Sequence, residues 1–88
     1  MHGDRPCFMQ ARALVARALC VGEDLVDGET RAFDLPAWDS MGQLSVLMEI
    51  EEALGLRIED AAMVDQLTSV AGIASLLADH AARAADKA

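Results

Sequence analysis

From Ser40 to Leu54 the apolar positions fall on two arcs of a helix rather than one. Stepping about 100° per residue from Ser40 puts Val46, Ile50, Leu54 and Leu47 between about 240° and 340°. Leu44, Met48 and Met41 fall between about 40° and 100°, with Glu51, Glu52 and Ser45 interleaved with them or beside them. A helix resting on a core needs a single apolar stripe. One reading is a central helix packed on both sides. The other is that the first arc is core and the second is a docking surface, a role suited to polarizable methionines flanked by carboxylates. The helix alone leaves both open.

The same spacing predicts three further helices and no strands, and therefore an all-α fold: a four-helix bundle with a long first loop and a short third helix. The first helix covers residues 6–20, with Asp4 or Arg5 near its cap and Pro6 in its first turn. Phe8, Ala11, Val15, Ala18 and Leu19 recur along it at helical spacing, and Gly22 ends it. Residues 21–37 contain Gly22, Gly28, Pro36 and five acids, and read as a loop tacked down by Leu25, Val26, Phe33 and Leu35. The second helix covers residues 40–54 and stops at Gly55 as its C′ residue. A third is one or two turns over residues 60–66. The last covers residues 69–84 and carries Val70, Ile73, Leu77 and His80 on one stripe, with a fraying alanine-rich end. A chain of 88 residues has room for one domain, taken as residues 1–88.

Composition narrows the chemistry. Hydrophobic residues make up 53% of the chain but aromatics only 3%, so the core is built from aliphatic side chains and alanine, which favour helices. Fifteen acids against seven lysines and arginines give a net charge of −8, which argues against nucleic acid and anionic membrane as partners and for proteins with basic patches. Arg12 and Arg17 interrupt the opening segment, so it lacks a signal peptide's apolar core, and no run is as long as a membrane span. The expectation is a cytoplasmic protein. Cys7 and Cys20 lie about 20 Å apart along one helix, too far for a disulfide, and read as small hydrophobes or free thiols.

No catalytic set is recognisable. His2 and His80 stand near the two ends, and His80 continues an apolar stripe. The acidic loop fails the spacing of a calcium-binding loop, so no metal is expected. What remains is Ser40. It fits a capping box with Gln43, with Asp39 as the alternative cap. It equally fits a modification site, because a phosphate attached there would meet free backbone N–H groups at the favourable end of the helix dipole.

The stretch FDLPAWDSMGQLSVLMEIEEALGLRI, followed by an acidic turn and LTSVAGIASLL, resembles the acyl carrier proteins over roughly Phe33 to Leu77. The hallmark of that family is Asp-Ser-Leu at the start of a second helix, a Glu-Glu pair late in it, an Ile soon after and Thr-Val opening the last helix. The resemblance implies that Ser40, flanked by Asp39, receives 4′-phosphopantetheine from coenzyme A, whose thiol then carries cargo as thioesters. It implies that Met41, Leu44, Met48, Glu51 and Glu52 form the partner-binding surface, the same set as the second arc. It also implies a non-enzymatic, stand-alone, monomeric carrier. Its partners would be a phosphopantetheinyl transferase, a loading enzyme and downstream enzymes with basic docking patches.

Departures from the family pattern narrow this further. Met41 stands for the usual Leu, and Gly42 and Ser45 stand where carriers of fatty acid synthesis have carboxylates. Gly42 also carries a helix-propensity cost of about 1 kcal/mol. Pro36 and Trp38 replace small residues, and the chain between Ile58 and Thr68 is one residue longer than the pattern. These point to a specialised biosynthetic pathway (secondary metabolism) such as polyketide synthesis. An aminoacyl or peptidyl carrier of nonribosomal peptide type is the alternative, and an unmodified acidic helical adaptor is the reading from a different class.

Overall fold

The computed structural model describes residues 4–87. Its helices are α1 (Asp4–Leu19), α2 (Ser40–Leu54), α3 (Ala61–Gln66) and α4 (Val70–Lys87), with one 3-10 turn at Glu23–Leu25. Among the described residues there is no strand, and a lone antiparallel bridge joins Arg31 to Ser69. His2 lies outside the described residues, as do the side chains of Asp4 and Arg5, to which a capping role was assigned. α4 continues through Lys87 instead of fraying after residue 84, in keeping with the high helix propensity of alanine and lysine.

The core lies where α1 packs against α2 and α4. α1 contributes Cys7, Ala11, Leu14, Val15 and Leu19, α2 contributes Val46 and Ile50, and α4 contributes Val70, Ile73, Leu76 and Leu77. α3 buries none of its own residues, yet its C-cap, Leu67, is completely enclosed. His80 is half-buried at the end of the α4 stripe.

α1 does not end at Gly22. It ends at Cys20, whose φ of 58 places it in the left-handed region. The N–H of Val21 donates to Ala16 C=O and that of Cys20 to Arg17 C=O, the pairing that closes a helix with a left-handed C′ residue. Cys20 therefore occupies a glycine position. α2 closes in a related way at Gly55, with φ 66 and its N–H bonded to Glu51 C=O.

The loop of residues 21–37 is held by polar bonds more than by the apolar side chains expected to pin it. Val26 is buried and Leu35 half-buried, but Leu25 is 54% and Phe33 71% exposed. Arg12 performs the anchoring instead, its Nε donating to Glu23 C=O at 2.9 Å and Val26 C=O at 2.7 Å. Further along, the buried Thr30 accepts from Asp27 N–H through Oγ1 at 2.9 Å, and its carbonyl accepts from Val70 N–H at 3.0 Å. That bond satisfies an amide left free at the start of α4. Ala32 N–H donates to Thr68 C=O at 2.8 Å, so the loop is laid across the α3–α4 junction.

Candidate functional site

The start of α2 is assembled around a buried tryptophan. Trp38 is fully enclosed and the largest side chain in the core, and its Nε1 donates to Gln43 Oε1 at 2.6 Å. The Nε2 of Gln43 donates in turn to Leu67 C=O at 3.0 Å. The capping box is thereby corrected: the Gln43 side chain bridges Trp38 to the end of α3 instead of turning back to the helix cap. The cap is Asp39, whose extended backbone and Oδ1, accepting from Gly42 N–H at 2.9 Å, satisfy one of the first amides of α2. Ser40 is the first helical residue. It is exposed, and among the described residues no hydrogen bond involves its hydroxyl.

Gly42 is not a surface position that happens to lack a charge. It is buried, and a Cβ there would lie 2.2 Å from Ala37 O and 2.9 Å from Leu19 Cδ2. Its absence of a side chain is what lets the loop return against α2 and lets α1 close on both. The helix-propensity cost is thus the cost of a close approach. Gly42→Ala should destabilise the fold by about 1–3 kcal/mol despite alanine's better propensity, because a backbone oxygen has to move. Denaturant unfolding at unchanged slope measures this, and an unchanged or raised midpoint would refute the packing explanation.

The two arcs of α2 separate in the fold. Met41, Leu44 and Met48 are 74%, 58% and 67% exposed, while Val46 and Ile50 are completely buried. The core arc is rotated from the expected one by about 50°, so that Gly42 lies within it and Leu47 and Leu54 sit half-buried at its edge. Glu52 is exposed. Glu51 is half-buried, and its Oε2 accepts from Ile58 N–H at 2.8 Å, fixing the turn after α2 as well as bordering the exposed face. Met48, Glu51, Glu52, Leu56 and Arg57 line a shallow cleft at this end of the face. On the other flank Glu49 pairs with Arg17 of α1 at 3.2 Å, an exposed ion pair that contributes little.

The pattern of periods and caps pointed to Asp39, Ser40 and the exposed arc, and the structure brings these onto one end and one side of α2. It did not point to Trp38 as core or to Gln43 as a bridge. A signal was present in Trp38, since a large aromatic beside a helix cap has an N–H that needs a partner once buried. Arg12 read as a charge interrupting an apolar run, and its two carbonyl partners lie 11 and 14 residues further along the chain.

Among the described residues no group of three or more His, Cys, Asp or Glu side chains is placed to hold a metal ion, and no helix is long and apolar enough to cross a membrane. A family model described as a phosphopantetheine attachment site matches residues 10–77, a span that takes in α1 from Gln10 onward, the loop, α2, α3 and the start of α4 as far as Leu77. The chain belongs to that family, consistent with its helical, acyl-carrier-like bundle. It is a carrier protein with covalently attached 4′-phosphopantetheine, and carriers of this kind work with a phosphopantetheinyl transferase and with the enzymes of their pathway. No curated protein and no solved structure shows a significant match to the chain.

Proposed function

We propose that Ser40 is the attachment residue and that residues 1–88 act as one carrier domain, a substrate for other enzymes rather than a catalyst. The observation that carries this is the setting of Ser40: an exposed hydroxyl free of hydrogen bonds at the first position of α2, following a cap made by its neighbour. The setting suits the group. Asp39 already satisfies the Gly42 amide and holds the helix end, so Ser40 Oγ is not needed for folding and has space to bear a substituent. In the transfer, Ser40 Oγ loses its proton to a base of the transferase and forms one bond to phosphorus, and the adenosine bisphosphate portion of coenzyme A leaves. The attached group supplies a thiol at the end of a long arm, where cargo is held as a thioester. Asp39 and the buried Trp38 keep the attachment point at the rim of the bundle. Intact mass after incubation with coenzyme A and a broad-specificity transferase, followed by fragment mapping, tests the reading. One adduct on Ser40 is expected, and no adduct, or one on another residue, would overturn it.

The exposed face of Met41, Leu44, Met48, Glu51 and Glu52 is proposed as the surface that the transferase, a loading enzyme and downstream enzymes with basic patches recognise. Its apolar centre and acidic end match a partner with an apolar pocket and a basic rim. Association should slow as salt rises from about 0.01 M to 0.15 M, with the on-rate more sensitive than the off-rate. A rate constant flat over that range would count against electrostatic docking. The cargo is proposed to be acyl, in a specialised route such as polyketide synthesis. Support for this comes from the first turn of α2, which carries no acid, so that its exposed face begins as apolar surface. The buried Gly42 no longer contributes to that inference.

A further inference from the structure

Phe33 is held in a conformation and an environment that both disfavour it. Its φ of 73 lies in the left-handed region, where a residue with a bulky side chain is an outlier. Its ring is mostly in water, so burial does not offset the strain. Nor is the turn slack. Phe33 N–H donates to Trp38 C=O at 2.7 Å, Trp38 N–H to Leu35 C=O at 2.9 Å and Asp34 N–H to Arg31 C=O at 3.0 Å. Asp34 Oδ2 also accepts from Arg31 N–H at 2.9 Å. A strained backbone that its surroundings over-determine is a recurrent feature of functional sites.

The position of the ring says which function. Phe33 is bonded to Trp38, and Ser40 is only two residues beyond, at most about 7 Å away along the chain. Trp38 itself is buried, so the aromatic surface offered next to Ser40 is that of Phe33. Asp34 and Asp39 are exposed on this turn, Arg31 is its exposed cation, and the chain as a whole carries a net charge of −8.

We infer that Phe33 is an aromatic anchor for the phosphopantetheinyl transferase, seated in an apolar pocket of that enzyme with a basic rim. This rests on the assignment of Ser40 as the attachment residue. An enzyme that acts on the thiol works an arm's length from Ser40. The transferase has to bring its reacting groups to the Ser40 hydroxyl and so covers the turn beside it. A rigid aromatic side chain flanked by acids is the kind of group that dominates such an interface when its partner is apolar at the centre and basic at the edge.

Phe33→Gly separates the two effects, because it relieves the backbone strain while removing the ring. The expected result is a Tm equal to the parent's or a few degrees higher for Phe33→Gly, and one within about 4 °C of it for Phe33→Ala. In both variants transferase kcat/KM should fall by about tenfold or more, through a higher KM for the carrier. Leu25→Ala serves as the control. Leu25 is exposed in the same loop, but on the part held by Arg12, about 10 Å along α1 from Leu19, which abuts Gly42. Its kinetics should match the parent's. Values within about twofold of the parent in both Phe33 variants overturn the anchor. So does a marked fall in Tm for Phe33→Gly, which would make the ring a support of the fold. Sedimentation covers the remaining occupant: a dimer that Phe33→Ala dissociates, with transferase kinetics unchanged, would assign the ring to a second copy of the chain. Ser40→Ala run alongside keeps the two proposals apart. An adduct on that variant sinks the attachment residue, whereas an adduct confined to Ser40 with unaltered Phe33 kinetics sinks only the anchor.

Discussion

Ser40→Ala should receive no phosphopantetheine while remaining folded as well as the parent. The second half of that expectation follows from the cap. Had Ser40 been the cap, alanine would cost about 1 kcal/mol. Because Asp39 accepts the Gly42 amide and Ser40 is the first helical residue, its loss should change stability by no more than about 0.5 kcal/mol. Asp39→Ala is the variant that should show the capping cost. The other serines of the helices and their caps are differently placed. Ser45 is half-buried within α2, Ser69 accepts from Gly72 N–H through Oγ at 3.0 Å, and Ser75 lies in the middle of α4. Alanine at any of these three should leave the adduct intact in the mass spectrum. Modification persisting in Ser40→Ala would remove the basis of the site.

The same glutamate substitution on the two arcs of α2 should have opposite consequences. Met48 is exposed, so Met48→Glu should change folding stability by less than about 1 kcal/mol. Partner reactions should slow strongly, because a carboxylate would replace the apolar centre of the docking face. Ile50 is completely buried among α1, α2 and α4 residues. Ile50→Ala should cost about 2–5 kcal/mol, and Ile50→Glu more, because it either buries an unpaired carboxylate or forces the bundle open. A domain this small has total stability near the low end of about 5–15 kcal/mol, so Ile50→Glu should leave it largely unfolded. Denaturant curves set beside transferase kinetics for each variant provide the measurement. Equal destabilisation by the two glutamates would mean that Met48 is core as well.

Much of the fold was legible because helices announce themselves locally. The bounds of α2 came from an apolar run between Asp39-Ser40 and Gly55, and the stripe of Val70, Ile73 and Leu77 located α4. Both signals depend on residues within one or two turns of each other. The loop was read less well. Leu25 and Phe33 were expected to hold it because they are apolar, but in an irregular segment apolarity does not set direction, since there is no fixed period to say which side chains turn inward. Cys20 shows the same limit, for nothing in its type foretold a left-handed residue where glycine is usual.

The sequence by itself determined the helical class, the net charge of −8, the cap at Asp39 or Ser40 and the two arcs of α2. Each of these follows from composition or from neighbours a few residues apart. Only the tertiary structure decided between the readings that remained. It buried the arc holding Ile50 and left the arc holding Met48 in water, because α1 packs on one side of α2, and α4, which packs on α1, joins that side only through the shared cluster of buried side chains. It turned Gln43 away from the cap, because Leu67 C=O, 24 residues further along the chain, and the Trp38 indole both needed it. It made Gly42 a packing requirement, because the Ala37 carbonyl and Leu19 close on that position from two directions. It left Phe33 exposed, because the bonds from Thr30 to Val70, from Ala32 to Thr68 and from Phe33 to Trp38 set the loop's path before its side chains could. Contacts between segments distant in sequence have no period, so a pattern of hydrophobic and polar positions does not contain them.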